Sequence, residues 1–567
     1  MGRRSTPKAR HENRHGTTRP RVHPASPFTA VMALVLFLVA AAYVLLGVLG
    51  DEPVPSFRAQ ACGIPERWLT LTERGYFQSR SGQISLMPRY PAYMATGGGG
   101  WSHSGPWPYL QDVPLVFYGP GAVEARGAVD TPATLADVAP TLATLVRGAF
   151  STEDGSTLEE VASLRARLLR AEAPKLIVTV VWDGGGWNVL RRYPDEWPNL
   201  RRLMQEGASF TEAIVGSSPS VTPSVHTTLG SGTFPRTHGI TGVPVRDEEG
   251  EVVDAFLLGE SSRFVEVPTL AERWDEQNHN RAKVGMVGYE PWHLGMIGKG
   301  AEAPSGDKDD AVWLDTETNE WITNEDHYRV PDALVETGGL EDDVQRLDAA
   351  DGQVDRAWLD NEILDDRARV EETPAFIRYH ARALMNLISQ EGYGEDRITD
   401  LLYTNFKQID RVGHYFNMDS EEVRQSLAES DRQLGELVDF LDARFEPGEY
   451  VLVMTADHGQ QPDASDLDSY GIEPTEIEQD LAAEFGPIVR AVWPTEAFLY
   501  PDEMERRGVT IEEVARWLAD YRLRDNTEDA RVALAGAGRF EAGERIMDMA
   551  IPARMLEDLD CGGGAEG

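Results

Sequence analysis

The chain reads as an α/β protein with a mostly parallel central sheet, helices on both faces and one transmembrane helix ahead of it. Three observations carry this. Four strand-like segments, at 176–182, roughly 283–288, 401–407 and 450–455, alternate with helical stretches near 198–206, 223–230, 372–391 and 419–445. Near-continuous apolar runs separated by helices are what parallel strands buried on both faces require. The third observation is the uncharged segment FTAVMALVLFLVAAAYVLLGVLG at 28–50, long enough at about 1.5 Å per residue to cross a hydrocarbon core of about 30 Å.

The strand 176–182 is Leu-Ile-Val-Thr-Val-Val-Trp and ends at Asp183. The run 401–407 leads to Asp410-Arg-Val-Gly-His414, and 450–455 leads to Asp457-His458. The helix at 419–445 has Val423, Leu427, Leu434, Val438 and Leu441 at helical spacing, with Asp419-Ser420 as its cap. Ahead of these elements, 81–86 and 113–118 read as strands and 133–146 as a helix; 153–173 reads as a charged helical connector. Residues 302–370 are acidic and irregular and read as an insertion or cap over the sheet edge.

The formal charge is −41, yet residues 1–27 hold seven basic side chains against Glu12. An acidic body argues against nucleic acid or anionic lipid as its partner. The basic tail before the apolar span and Asp51-Glu52 after it place the N-terminus in the cytoplasm. The span exceeds the 7–15 residues usual in a signal peptide and no small-x-small site follows, so it reads as an uncleaved anchor. The chain is expected at the cell membrane, single-pass, with the remainder extracytoplasmic. Cys62 and Cys561 are the two cysteines; outside the cytoplasm a disulfide is allowed, and a free pair is the alternative.

In an open α/β sheet the carboxyl ends of the strands face the ligand crevice. Asp183, Asp410 and Asp457 lie at or just past such ends, two of them with a histidine nearby. Any one alone reads as a turn residue or helix cap; three together, with His414 and His458, suit Zn²⁺ or a similar divalent ion. In Pro219-Ser-Val-Thr222-Pro223-Ser-Val-His226, proline at the first helical position makes Thr222 the expected N-cap. A hydroxyl at a helix N-terminus beside a metal is a candidate nucleophile towards phosphorus.

Asp183, Thr222, His226, Gly232, His238-Gly239-Ile240, Asp410-x-x-x-His414 and Asp457-His458-Gly459 together resemble the alkaline phosphatase superfamily. The likeness is to its threonine-nucleophile branch of type I phosphodiesterases, nucleotide pyrophosphatases and related phosphatases. The resemblance implies two zinc ions or similar divalent metals. Asp183, Thr222, Asp457 and His458 would hold one, and Asp410, His414 and a later histidine the other. No histidine follows His458. The stretch 97–145, with a Gly-rich loop, a Pro-Leu-Val-Phe strand and an Asp-x-Ala-Pro-Thr-Leu helix, resembles the family's last segment, and His103 stands where that histidine would. The implied architecture is a circular permutation. It comprises a tail 1–27, anchor 28–50, displaced C-terminal segment 51–145, connector 146–174 and main part 175–567. A Cys62–Cys561 disulfide would re-close the cut.

The resemblance implies a membrane-anchored phosphoric ester hydrolase working through phosphothreonine on a small phosphate ester or nucleotide-type substrate. An envelope phospho-group transferase and an inactive envelope-binding protein are the alternatives. The family's oxygen-contacting Asn is replaced by Val243, and a Lys-x-Arg pair of one monoesterase group by Tyr289-Glu290-Pro291-Trp292-His293. His293, Lys299 and Arg246 are the candidate substitutes for that clamp.

Overall fold

In the computed structural model of the chain, the described residues are 53–94, 101, 103–162, 172–526 and 542–562. The expected tail and membrane span, 1–27 and 28–50, lie outside them, as do residues 163–171 of the connector. Among the described residues no helix is long and apolar enough to cross a membrane.

The central sheet has nine strands: β1 Leu115–Tyr118, β2 Gly127–Val129, β3 Leu176–Trp182, β4 Ala208–Phe210, β5 Val284–Val287, β6 Asp310–Asp315, β7 Glu320–Ile322, β8 Asp400–Phe406 and β9 Tyr450–Thr455. Their order is β7-β6-β5-β8-β3-β9-β1-β4-β2. Strands β6, β5, β8, β3 and β9 run parallel to one another. β7 opposes β6, and β1 opposes both β9 and β4, so the sheet is mixed, with a parallel centre.

Side chains alternate across this centre. Ile177, Val181, Leu401, Tyr403, Val451 and Val453 enter one hydrophobic core. Val178, Val180, Trp182, Leu402, Leu452 and Met454 enter the other. Every residue of β3, β8 and β9 is buried, which explains why β3 and β9 read as near-continuous apolar runs. Burial of each Val or Leu contributes roughly 1.5–3 kcal/mol. Helices cover both faces: α1 Val138–Val146 and α2 Thr222–Ser231 contribute to the first core, and α3 Pro374–Gln390, α4 Gln408–Phe416 and α5 Glu421–Arg444 to the second. In α5 the five expected apolar positions are buried, and Ser420 Oγ caps the helix by accepting from Val423 N at 3.1 Å.

Three local expectations shift. The helix expected from 133 starts at Val138, because Thr134 and Asp137 form a capping box around a single 3₁₀ turn. Residues 302–370 do more than cover the sheet, since β6 and β7 extend its edge; a short strand bounded by Asp310 and Asp315 gives too few apolar positions for a visible period. The described part of the connector holds one short helix, Glu159–Ala162.

The N-terminal segment is woven into the body. Strand Ile84–Pro88 lies between Glu496–Leu499 and Met547–Pro552, antiparallel to both, and Cys62 is joined to Cys561 by a disulfide. Closing so long a loop contributes about 2–5 kcal/mol, so Cys62→Ser is expected to lower denaturant stability by that amount, and a nonreducing peptide map should show the link. At the same junction Gly82 N donates to Glu496 Oε2 at 2.5 Å. Burial pushes the Glu496 carboxyl up to about 7 from 4.5, against the pull of Gly82 N–H and Arg246. The folded chain therefore holds this proton where the unfolded chain has released it, and stability falls as pH rises from about 4.5 to 7. Between pH 5 and 8 the wild type should lose up to about 3 kcal/mol relative to Glu496→Gln in urea titrations.

Candidate active site

Strands β8, β3 and β9 are adjacent and parallel, so their carboxyl ends share one edge. Asp183 follows β3 directly, Asp457 follows β9 by one residue, and Asp410 sits in the first turn of α4, just after β8. All three are buried. The turn after β3 needs Gly184: its φ is +68°, a Cβ there would come within 3.0 Å of Asp410 Cα, and its N–H donates to Asp457 Oδ1 at 3.1 Å.

The side chains form two adjoining groups. In one, His458 Nε2 lies 3.5 Å from Asp183 Oδ1 and 3.4 Å from Asp457 Oδ2, with Thr222 Oγ1 3.5 Å from Asp183 Oδ2. In the other, Asp410 Oδ1 lies 3.3 Å from His414 Nε2 and 3.5 Å from His103 Nε2. The His103 ring stacks on His458, with centroids 3.6 Å apart. Thus a residue more than 300 positions upstream in sequence joins Asp410 and His414.

Each of these three histidines is held by a main-chain carbonyl. His103 Nδ1 faces Ser220 O at 2.9 Å, His458 Nδ1 faces Gly459 O at 2.9 Å, and His414 Nδ1 faces Trp101 O. A carbonyl only accepts, so Nδ1 carries a hydrogen in each, and each Nε2 is turned to the carboxylates, where it can offer a lone pair once unprotonated. Ser220 Oγ returns a bond to His103 O at 2.7 Å, tying the His103 loop to the approach to α2. Asp457 Oδ2 and His458 Nε2 are buried without a hydrogen-bond partner. Leaving such groups unsatisfied costs about 1–3 kcal/mol each. The ligand atoms of Asp183, Asp457 and His458 lie within 4.8 Å of one another, as do those of His103, Asp410 and His458, and such sets of carboxylate and imidazole fit a divalent cation.

Thr222 departs from its expected role as a cap. Helix α2 starts one residue earlier, with Thr222 as its first residue and Val221 as N-cap, and no side chain caps it. The hydroxyl is therefore free to face Asp183.

Lys407, absent from the sequence reading, reaches the same point. It is buried, and its Nζ lies 2.9 Å from Asp183 Oδ1, 2.8 Å from Asp410 Oδ2 and 3.0 Å from Thr222 Oγ1. Asn405 Nδ2 donates to Asp183 Oδ2 at 2.9 Å. The available signal was position: Asn405 and Lys407 flank the end of β8, where side chains meet the crevice. Burial, then repulsion from Asp457, pushes Asp183 up to about 8, with Lys407 opposing. Asp410 is held well below the usual carboxylate range; burial acts the other way, but His414 and Lys407 prevail. Lys407 stays protonated although burial disfavours its charge, because Asp183 and Asp410 outweigh that effect.

The three candidate clamp residues are placed otherwise. His293 is buried with Nδ1 2.9 Å from His226 Nδ1, behind the cluster rather than in it. His226 Nε2 is 3.5 Å from Asp457 Oδ2, but its Nδ1 lacks the carbonyl tether of the other three histidines. Lys299 Nζ donates to Val265 O, and Arg246 donates to Ser81 O and Gln78 O. Both head groups thus satisfy loop carbonyls, and neither is brought to the carboxylates.

Comparison with known proteins follows the same lines. The family model described as type I phosphodiesterase / nucleotide pyrophosphatase matches residues 177–553. The chain is 23% identical over 413 residues to a protein of Myroides odoratus named calcium-transporting ATPase, covering 61% of this chain and 72% of that one. It is 24% identical over 330 residues to alkaline phosphatase PafA of Elizabethkingia meningoseptica, covering 50% of this chain and 60% of that one. The crystal structure of wild-type PafA superposes with a TM-score of 0.53 at 20% identity, covering 63% of this chain and 78% of that chain. The fold, the carboxylate–histidine cluster and the match over most of the chain agree: it belongs to the type I phosphodiesterase / nucleotide pyrophosphatase family, phosphoric ester hydrolases of the alkaline phosphatase superfamily.

Proposed function

We propose that this chain is a membrane-anchored, extracytoplasmic phosphoric ester hydrolase that uses two divalent metals, zinc being the natural choice, and a phosphothreonine intermediate. The observation that carries it is the convergence of Thr222, three buried carboxylates and three carbonyl-tethered histidines on one sheet edge. Asp183, Thr222, Asp457 and His458 would hold one metal, and Asp410, His414 and His103 the other. When bound, the metals supply Lewis-acid stabilisation of charge on the attacking and leaving oxygens. The chain's own part is positioning. Helix α2 aims Thr222 Oγ1 from its first turn, where the helix dipole favours an anion. Oγ1 forms a new bond to phosphorus as the ester P–O bond breaks and the alcohol leaves with a proton. Water then cleaves the phosphothreonine, restoring the hydroxyl and releasing phosphate from a monoester, or a monoester from a diester. Nucleotide-type and other small phosphate esters suit this chemistry.

The segment 97–145 is read as the family's C-terminal part displaced ahead of its first strand. Two facts support the reading: β1 pairs with β9 inside the sheet, and the family match begins at 177, in β3. The apolar span 28–50 and the disulfide support an anchored protein outside the reducing cytoplasm.

Two measurements test this. Thr222→Ala should lower hydrolysis of p-nitrophenyl phosphate and bis-p-nitrophenyl phosphate by at least about a thousandfold, and His103→Ala should lower bound zinc by about half while the near-UV circular dichroism is unchanged. Full activity in Thr222→Ala overturns the threonine step; unchanged zinc in His103→Ala overturns the ligand assignment. In cell fractionation the full chain should sediment with membranes, and a chain lacking residues 1–50 should not.

A further inference from the structure

The geometry points to Lys407 as a catalytic residue, one that holds the Thr222 oxygen and the anionic oxygens of the phosphoryl group and so favours phosphomonoesters over phosphodiesters. The inference deepens the hydrolase reading above and rests on Thr222 as the attacking group.

The family's oxygen clamp is missing from this sequence, and the structure offers no replacement at the expected places. In the stretch 289–293, the Tyr289 hydroxyl is bonded to Glu371, Trp292 Nε1 to Asp254 Oδ2 at 2.8 Å and His293 to His226. Arg246 and Lys299 satisfy loop carbonyls. Among the described residues, Lys407 is the cation that reaches the nucleophile, at 3.0 Å from Thr222 Oγ1. Once Oγ1 is bonded to phosphorus, the oxygens on that phosphorus are its immediate neighbours, and an ammonium bonded to Oγ1 lies beside them.

Lys407 is also fixed in place. It directly follows β8 and precedes α4, its side chain is 5% exposed, and single oxygens of Asp183 and Asp410 brace its Nζ from two sides. A charge held this way needs no reorganisation as negative charge moves onto the phosphoryl group, which is the condition for strong electrostatic stabilisation. An ammonium acts as a point charge and imposes little geometry, so it reads charge more than shape. A monoester dianion carries one more negative charge than a diester monoanion. A fixed extra positive charge in a buried site therefore discriminates between them.

The test uses the full chain with Lys407→Met, Lys407→Arg and Thr222→Ala. Bound zinc, the affinity for inorganic phosphate by calorimetry, and kcat/KM for p-nitrophenyl phosphate and bis-p-nitrophenyl phosphate are measured on each. Lys407→Met should keep its zinc, bind phosphate at least about tenfold more weakly, and lose about 100-fold on the monoester. The loss on the diester should be less than about tenfold, and Lys407→Arg should recover part of the phosphate affinity. A parallel fall on both esters, unchanged phosphate affinity, or loss of zinc in Lys407→Met would each overturn the proposal, the last by making the lysine a brace for the ligands. Full activity in Thr222→Ala would instead sink the threonine reading, while phosphate binding by Lys407→Met would still report on the lysine alone.

Discussion

Three carboxylates share one small buried volume at the ends of β8, β3 and β9, and the rest of the structure is arranged to make that tolerable. Buried like charges repel strongly in a low-dielectric interior. The rise in the Asp183 carboxyl, driven by burial and by Asp457, is the measure of that conflict. The fold places polar or positive groups beside each carboxylate: Lys407 and Asn405 on Asp183, Lys407 and two histidines on Asp410, and the Gly184 amide on Asp457, whose Oδ2 faces the Nε2 atoms of His226 and His458 without a hydrogen bond. Such a site is unfavourable for stability alone. Its maintenance is explained by the chemistry of phosphoryl transfer, where charge must be met by charge already in position.

The parallel centre of the sheet is what brings the carboxylates together. Each follows the end of a separate strand, and only adjacent parallel strands deliver their carboxyl ends to one edge. The histidines arrive by different routes. His458 follows Asp457 directly, His414 lies one helical turn beyond Asp410, and His103 enters on a loop from the N-terminal segment. The loop is held by reciprocal bonds between His103 and Ser220, so the same contact that orients the imidazole also joins the segment to the base of α2. The disulfide and the strand Ile84–Pro88 secure that segment from its other end.

Most of the fold was legible because its central strands are buried on both faces. The two faces are filled by alternate residues of one apolar run, so β3 and β9 could be bounded from composition alone. Asp183, Asp410, Asp457, His414 and His458 were legible for a related reason: each lies close in sequence to the end of such a run. β6 and the early start of α2 were not. A short strand that begins and ends in aspartate carries no clear period, and a one-residue shift at a helix start depends on the backbone of Val221 and not on residue type.

Sequence by itself determined which residues end the strands, which helices are amphipathic, and which side chains are chemically able to bind a metal or attack phosphorus. These follow from local periodicity and from functional groups, which do not depend on long-range folding. Tertiary structure alone decided which cations meet those carboxylates. Lys407, Lys299 and Arg246 have the same formal charge in the sequence. Only Lys407 leaves the sheet at the crevice, while the other two are turned onto loop carbonyls by the packing around them. Partner choice among long, flexible, charged side chains is set by three-dimensional neighbours, and spacing along the chain carries little information about it.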